Sequence, residues 1–560
     1  MQTARRLYLY LLSGVGLGVL VAGISLLLTT LLEAIGLESG TVLSGEQATR
    51  ERLTLATAMT AVALPVWLIH WFLAQRSVQP GRASADVERS SAVRGLYFAV
   101  VLGGLLLAAF LSFGSLIEAI VLGIAGEDAF SSPAGQIGLI VAAGTAWGYH
   151  LAVRLGDWRR GPVKGAAAWL PRAYLYGATF IGLIVLLFGL ADLFALVARI
   201  LANNPEDNIG GGGPWWAFPL ASGVSRVLVG GATWLGHAWY ARRLWADQGH
   251  RGAIERPARL RFAFYVGVLV VSAAGAIGFL GQVGSLLLGA ALGASATGRG
   301  SGDLLGEVLA AALAAVLFAA SWWVHATELR RAAHEPGVAM LIPRPDRLIA
   351  YPTALVGLAA GAGGAARLIG LVVDLVLGGG RVLAGSETSD RVFADFAPYA
   401  ILGLGVWLWH WSVIARTVEA EPVTEAASTV RRTSLLVTLA VSILAGVASL
   451  GVILYRLFGT LFGLDVPASV ASELSVPVGV LVVTVAIAVY HGQLLRRDAA
   501  LREAAEVIEE AGPPAEARPE VGLTLVGPAG AKPGNLAGVA DGLRAQLPDG
   551  YELRDERQMS

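Results

Sequence analysis

Residues 64–76 read LPVWLIHWFLAQR, an apolar run that closes on Trp67, His70 and Arg76, and the same ending returns along the chain. Trp147/His150, Trp234/His237, Trp322/His325 and Trp407/His410 repeat the tryptophan-x-x-histidine spacing; His491 follows a sixth apolar run in which Ala488 holds the tryptophan position. The steps between successive histidines are 80, 87, 88, 85 and 81 residues, and Arg76, Arg154, Arg242, Arg330, Arg416 and Arg496 follow them. A period of that length marks an array of equivalent elements, so the chain reads as one unit copied six times.

The composition says what solvent the units occupy. Over 560 residues, 55% are hydrophobic and 15% charged, with a mean hydropathy of +0.64, which suits a polytopic membrane protein and not a set of soluble domains. The absence of cysteine removes disulfides, thiolate zinc sites and cysteine-ligated iron–sulfur clusters. Lys plus Arg and Asp plus Glu balance at 41 each, so no net field draws in nucleic acid and the informative quantity is where the charges fall. No signature for a cofactor is found.

Each unit contains two apolar stretches long enough to cross about 30 Å of hydrocarbon as helices. The pairs fall at 6–36 and 52–76, 94–125 and 134–156, 172–203 and 214–244, 259–294 and 303–331, 347–379 and 392–416, and 431–463 and 474–497. The expected fold is therefore an all-α integral membrane protein of about twelve spans, arranged as six parallel two-helix hairpins. Helices are required because lipid offers no partner to a backbone N–H or C=O, and continuous apolar runs do not fit a barrel strand. Hairpin boundaries are expected at 1–80, 81–165, 166–250, 251–338, 339–422 and 423–500. The basic, apolar opening at Arg5 and Arg6 resembles a signal peptide, but its long run and lack of a cleavage pattern make it the first span.

Arginine clusters in the connections between units, as in Arg82, Arg89 and Arg94 or Arg251, Arg256 and Arg259, and is nearly absent inside each hairpin. The positive-inside rule then places those connections and both termini in the cytoplasm of a bacterial inner membrane. Apolarity stops after Arg497. Residues 501–560 read as a charged linker and a small cytoplasmic α/β appendage with strands near Val521–Val526 and Tyr551–Arg554 and a helix near Asn535–Leu547, a place for a protein partner. The loop GPAGAKPGN at 527–535 lacks the spacing of a phosphate loop. Glycines at helical spacing, such as Gly275, Gly278, Gly281 and Gly284, or Gly14/Gly18 and Gly357/Gly361, mark faces where helix backbones approach closely.

Two sets of side chains are candidates for function. First helices align on Arg-x-x-x-Tyr at Arg6/Tyr10, Arg172/Tyr176, Arg261/Tyr265 and Arg347/Tyr351, with Arg94 and Arg432 as anchors in the other two units. From there, Glu33, Glu118, Asp192, Arg199, Arg367, Asp374 and Arg456 fall at matching depths in the apolar runs, and Arg226 joins them from a second helix. This neutral set reads as a structural ion-pair network, as a polar cavity or ion path, or as residues snorkelling to the outer interface. Asp192/Arg199 and Arg367/Asp374 carry opposite signs at equal spacing, which predicts that units three and five are neighbours. The second set, the six histidines with Trp67, Trp147, Trp234, Trp322 and Trp407, reads as an outward-facing belt at the cytoplasmic interface, as a proton-sensing vestibule, or as metal or haem ligands; all six share one depth, which argues against haem-based transfer across the membrane.

The unit start RRLYLYLLSGVGLGVLVAGISLLLTTLLEAI at 5–35 and its close at 64–76 resemble a bacterial two-helix membrane module catalogued as a domain of unknown function, number 5671. The resemblance implies a membrane topology and no activity or ligand. With no nucleophile–base pair, metal motif or phosphate loop, the expected protein is a non-enzymatic membrane scaffold or sensor; the alternative is a channel or transporter for a small polar solute or ion.

Overall fold

In a computed structural model the described residues are 2–37, 46–82, 85–126, 133–160, 165–202, 214–294, 301–342, 344–377, 389–462, 470–510 and 526–547. They form helices and no strand. In chain order these are α1 (Gln2–Ala34), α2 (Glu46–Ser77), α3 (Ala85–Arg89), α4 (Ala92–Ile124), α5 (Pro133–Arg159), α6 (Ala166–Leu201), α7 (Ala217–Ala246), α8 (His250–Glu255), α9 (Arg259–Ala291), α10 (Ser301–Ala333), α11 (Pro345–Leu377), α12 (Ser389–Ala420), α13 (Pro422–Ala426), α14 (Thr429–Leu461), α15 (Val470–Glu510) and α16 (Pro533–Arg544).

Among the described residues ten helices are long and apolar enough to cross a membrane; of the twelve long ones, α5 and α7 stand outside that set. Both are diluted by Gly, Trp, His and Arg, which is why twelve apolar stretches in the sequence yield ten qualifying spans. Large apolar side chains face outward along these helices, for example Leu444 at 70% and Val447 at 63% exposed on α14. Such surfaces suit lipid and would be a liability in water.

Helix ends follow local chemistry. Gly36 and Gly293, with φ of +89° and +66°, supply the left-handed residue that closes α1 and α9, and the next amides fold back to Leu32 O at 3.1 Å and Gly289 O at 2.8 Å. Ser428 caps α14 by accepting from the Arg431 amide.

The chain divides into two compact units, Met1–Ala499 and Ala500–Ser560. In the second, Gly530 at φ +95° makes a turn in which Ala531 N donates to Pro528 O, and Pro533 opens α16, so the glycine-rich loop is a turn and a helix start. The expected strands at Val521–Val526 and Tyr551–Arg554 lie outside the described residues apart from Val526, which is not in a strand.

In the first unit, consecutive long helices pack as α1 on α2, α4 on α5, α6 on α7, α9 on α10 and α11 on α12. A second contact type links these pairs in order: α1 packs on α5, α4 on α7, α6 on α10 and α9 on α12. Gly370 and Gly479 bring α11 onto α15 in the same way, since a Cβ on Gly479 would stand 2.0 Å from Ala366 O. First helices also touch in sequence, α1 to α4, α4 to α6, α6 to α9, α9 to α11 and α11 to α14. Among the described residues the result is a row, each pair set against the next, in which α2 of the first pair and α14 of the last share no extensive contact.

Small residues permit these approaches. A Cβ on Gly403 of α12 would lie 2.2 Å from Gly361 N, and one on Gly230 of α7 would lie 2.5 Å from Leu186 N, so these backbones nearly touch. Of the glycine faces expected from spacing, Gly275, Gly281, Gly284, Gly357 and Gly361 meet neighbours, whereas Gly18 and Gly278 face open space. We predict that Gly403→Leu lowers stability by about 3 kcal/mol or more, the upper end for overpacking where the obstacle is backbone. Gly405→Leu, with nothing within 4 Å of an added Cβ, should be near neutral. Thermal unfolding in detergent of the two variants checks the contrast.

Candidate functional site

At the N-terminal end of the first helix of every pair, an arginine closes onto a carboxylate carried on the far part of the second helix or just past it. Arg6 Nη2 meets Glu88 at 2.8 Å, Arg94 meets Asp157 at 2.7 Å, and Arg172 meets Glu255 at 2.7 Å. Arg261 meets Glu335 at 2.6 Å, Arg347 meets Glu425 at 2.6 Å, and Arg431 meets Asp498 at 2.6 Å. The partners are 63 to 83 residues apart, one hairpin in each case. Several are forked, with two guanidinium nitrogens on one carboxylate, as for Arg94 (2.9 and 2.7 Å) and Arg261 (2.6 and 2.7 Å).

The six clasps alternate. Glu88, Glu255 and Glu425 sit on the short helices α3, α8 and α13, whereas Asp157 and Asp498 lie on the long helices α5 and α15 and Glu335 just beyond α10. Arg94 and Asp157 are 0% and 1% exposed, and Arg431 and Asp498 are 3% and 7%. Charges that dry hold one another in place, and removal of one member strands the other.

The tyrosine of three Arg-x-x-x-Tyr sequences joins one clasp to the next, while that of the fourth, Tyr265, bonds its own Arg261. Arg94 donates to Tyr10 Oη at 2.8 Å, and Arg431 reaches Tyr351 Oη at 3.4 Å. In the middle of the chain Arg261 lies 4.0 Å over the Trp245 ring, whose Nε1 donates to Tyr176 Oη at 3.0 Å. So Tyr10, Tyr176 and Tyr351 each face the arginine of the following pair, directly or through an indole.

The histidines repeat another bond. In all six, Nδ1 lies 2.7 to 2.9 Å from the carbonyl four residues earlier, from His70 on Val66 O to His491 on Ile487 O. A carbonyl only accepts, so Nδ1 carries the proton; in the neutral ring Nε2 is left to accept. The Tyr8, Tyr97 and Tyr174 hydroxyls donate to Nε2 of His70, His150 and His237 at 3.2, 3.0 and 3.0 Å. That uses the nitrogen a metal would need in those three. Among the described residues no group of three His, Cys, Asp or Glu is placed to hold a metal ion.

The tryptophans correct the outward belt expected from sequence. Trp67, Trp147, Trp234, Trp322 and Trp407 are half-buried and pack against the hydrophobic core. Trp147 Nε1 donates to Tyr174 Oη at 2.9 Å and Trp322 Nε1 to Thr353 Oγ1 at 3.1 Å, each on the next first helix. The outward-facing indoles are Trp169, Trp239, Trp323 and Trp409. Helical geometry explains the exchange: Trp323 and Trp409, one and two residues beyond Trp322 and Trp407, point away from the core. His150 and His491 are themselves buried, so the six do not form an exposed interfacial set.

The embedded charges also pair differently from the expectation. Glu33 binds Arg52 at 3.2 Å, Asp192 binds Arg226, and Arg456 binds Glu473 at 3.0 Å. Each joins the two helices of one hairpin: α1 to α2, α6 to α7 and α14 to α15. Units three and five are not held together through Asp192 and Arg367, because α9 packs against both α6 and α11. Arg367 instead stands 4.7 Å over the Phe396 ring. Arg199 is half-buried near the end of α6, and Glu118 is half-buried on α4. Asp374 is buried at 7% exposure and has no hydrogen-bond or ion-pair partner among the described residues.

A family model described as Domain of unknown function (DUF5671) matches residues 6–147, 172–336 and 347–486. The chain belongs to this family. No match was found among curated proteins or among solved structures. Each DUF5671 segment covers four long helices, so the matched unit is four long helices in length and occurs three times, whereas the sequence resemblance pointed to a two-helix module. The alternation of clasp acids has the same double period. Modules one and three also share a cluster that the tryptophan-x-x-histidine spacing does not reach: Trp71 Nε1 on Tyr149 Oη at 2.7 Å, and Trp411 Nε1 on Tyr490 Oη at 2.6 Å. The dipeptides His70-Trp71 and Tyr149-His150, matched by His410-Trp411 and Tyr490-His491, are its sequence signal.

We predict that Arg431→Met costs about 3–5 kcal/mol, as for loss of one member of a buried pair, and that adding Asp498→Leu restores most of it. Arg330→Met, which opens a pair whose members are 48% and 69% exposed, should cost under about 1 kcal/mol. Denaturant or thermal titration of the purified protein reads all three.

Proposed function

We propose that this DUF5671 protein is a non-enzymatic membrane scaffold or sensor of twelve spans in six hairpins. We place it in a bacterial inner membrane with both termini and the clasp end in the cytoplasm. The observation that carries the reading is the fate of the embedded charges: Glu33, Asp192 and Arg456 are each spent within a hairpin, on Arg52, Arg226 and Glu473. Charges paired in this way fix helix neighbours and do not line a path. The paired helices α5 and α7 complete the count of twelve because each lies against an apolar span in the row. The segment beyond Ala500 is the part of the chain suited to a soluble protein partner.

A channel or transporter for a small polar solute or ion is the second reading, and one observation favours it: Asp374 is a buried carboxyl with no partner among the described residues. Proteoliposomes decide between them. Under the scaffold reading their permeability to protons, alkali cations and chloride equals that of empty liposomes; a flux abolished by Asp374→Asn overturns it in favour of transport.

Orientation has its own test, since the chain has no cysteine. Arg82→Cys and Leu292→Cys lie at opposite ends of the hairpins and both positions are exposed. In intact cells an impermeant maleimide should label position 292 and spare position 82. The reverse pattern inverts the topology.

A further inference from the structure

The row of hairpins has two ends, and they match each other. Where one family module meets the next, the first helix of a module's second hairpin receives the second helix of the following module's first hairpin. At the first such junction α4 meets α7: Ser225 Oγ donates to Gly114 O at 3.0 Å. At the second, α9 meets α12: a Cβ on Gly281 would stand 2.4 Å from the Tyr399 ring and one on Gly284 2.7 Å from Pro398, and Ser285 donates to Asp395 at 2.8 Å.

The positions repeat. Gly114 and Gly281 each lie 20 residues beyond their clasp arginine, Arg94 and Arg261, and Ser225 and Pro398 each lie 12 residues before their histidine, His237 and His410. The third module carries the same donor face: Gly451 lies 20 residues beyond Arg431 on α14, is exposed, and has nothing within 4 Å of an added Cβ. The first module carries the same acceptor face: Ala58 lies 12 residues before His70 on α2 and is exposed. Burial agrees with this. Only 11% of the apolar window of α2 and 17% of that of α14 lie inside the fold, with α15 beside it at 17%, against 28–33% for α1, α4, α6, α9, α10, α11 and α12.

We propose that α14 of one copy packs on α2 of a second copy, Gly451 against Ala58, as a continuation of the module junction already made twice within the chain. The occupant is a second copy because the two free faces are the two halves of one interface, which the chain fills with itself wherever it can. The contact is head-to-tail, so it generates a closed ring or a continuing row and not a two-fold dimer.

Two differently tagged full-length copies test it, one carrying Ala58→Cys and the other Gly451→Cys, co-expressed and oxidised in native membranes. The expected product is a disulfide dimer bearing both tags, with no disulfide when either variant is expressed alone. A chain carrying both Gly114→Cys and Ser225→Cys serves as the control for junction geometry. If the control closes and the mixed pair does not, or if like cysteines join each other or join a different protein, the proposal fails. Gly451→Trp gives an independent readout: the particle extracted in lipid nanodiscs should fall to a single chain, while Gly451→Ala keeps its size. An unchanged size for Gly451→Trp overturns the interface.

Discussion

The clasp between a first-helix arginine and the carboxylate that follows its hairpin is the interaction on which the rest of the array depends. Two apolar helices in lipid gain little by preferring one neighbour over another, because the hydrocarbon is as apolar as they are. A charge buried to the degree of Arg94 or Arg431 has no such indifference. It tolerates one geometry, in which its own carboxylate is present, and the hydroxyl of Tyr10 or Tyr351 then ties that geometry to the preceding hairpin. Six repetitions convert weak apolar packing into a defined order.

Around the clasps, close packing does what polar specificity cannot. Gly230, Gly403 and Gly479 bring backbones together so tightly that a methyl group has no room, and dispersion between such surfaces is the main attraction available in a membrane. The aromatic layer lies between these two regimes. Indole and hydroxyl groups pair there from Trp147 to Tyr174, Trp71 to Tyr149 and Trp411 to Tyr490, which carries those polar atoms into the bundle with a partner, whereas the buried Trp67 and Trp407 Nε1 groups make no hydrogen bond among the described residues.

The helices and their lengths were legible because apolar runs in lipid have one solution, and the expected ranges fall within a few residues of α1, α4, α9 and α11. The histidine period found the repeats but halved the module, since it follows what all six hairpins share and is blind to the alternation of Glu88, Glu255 and Glu425 with Asp157, Glu335 and Asp498. Those acids were missed for a physical reason: they lie among the arginines of the connections, where a carboxylate reads as surface charge, yet Glu425 is 1% exposed. Matching depth also misled. Asp192 and Arg367 have equal offsets, but depth says nothing of lateral order, and Arg226 on the next helix was nearer. The tryptophans went wrong by rotation: spacing along a helix gives the shared face and leaves open whether that face meets lipid or protein.

The spacing within each clasp has a consequence in time. Every arginine precedes its carboxylate by 63 to 83 residues, so the ribosome delivers the positive charge first and its partner only after a whole hairpin has emerged. At about 5–20 residues per second that delay is between about 3 and 17 s. No clasp can form before its second helix has been made, so the earliest moment at which each can close follows the order of synthesis, from Arg6 with Glu88 to Arg431 with Asp498.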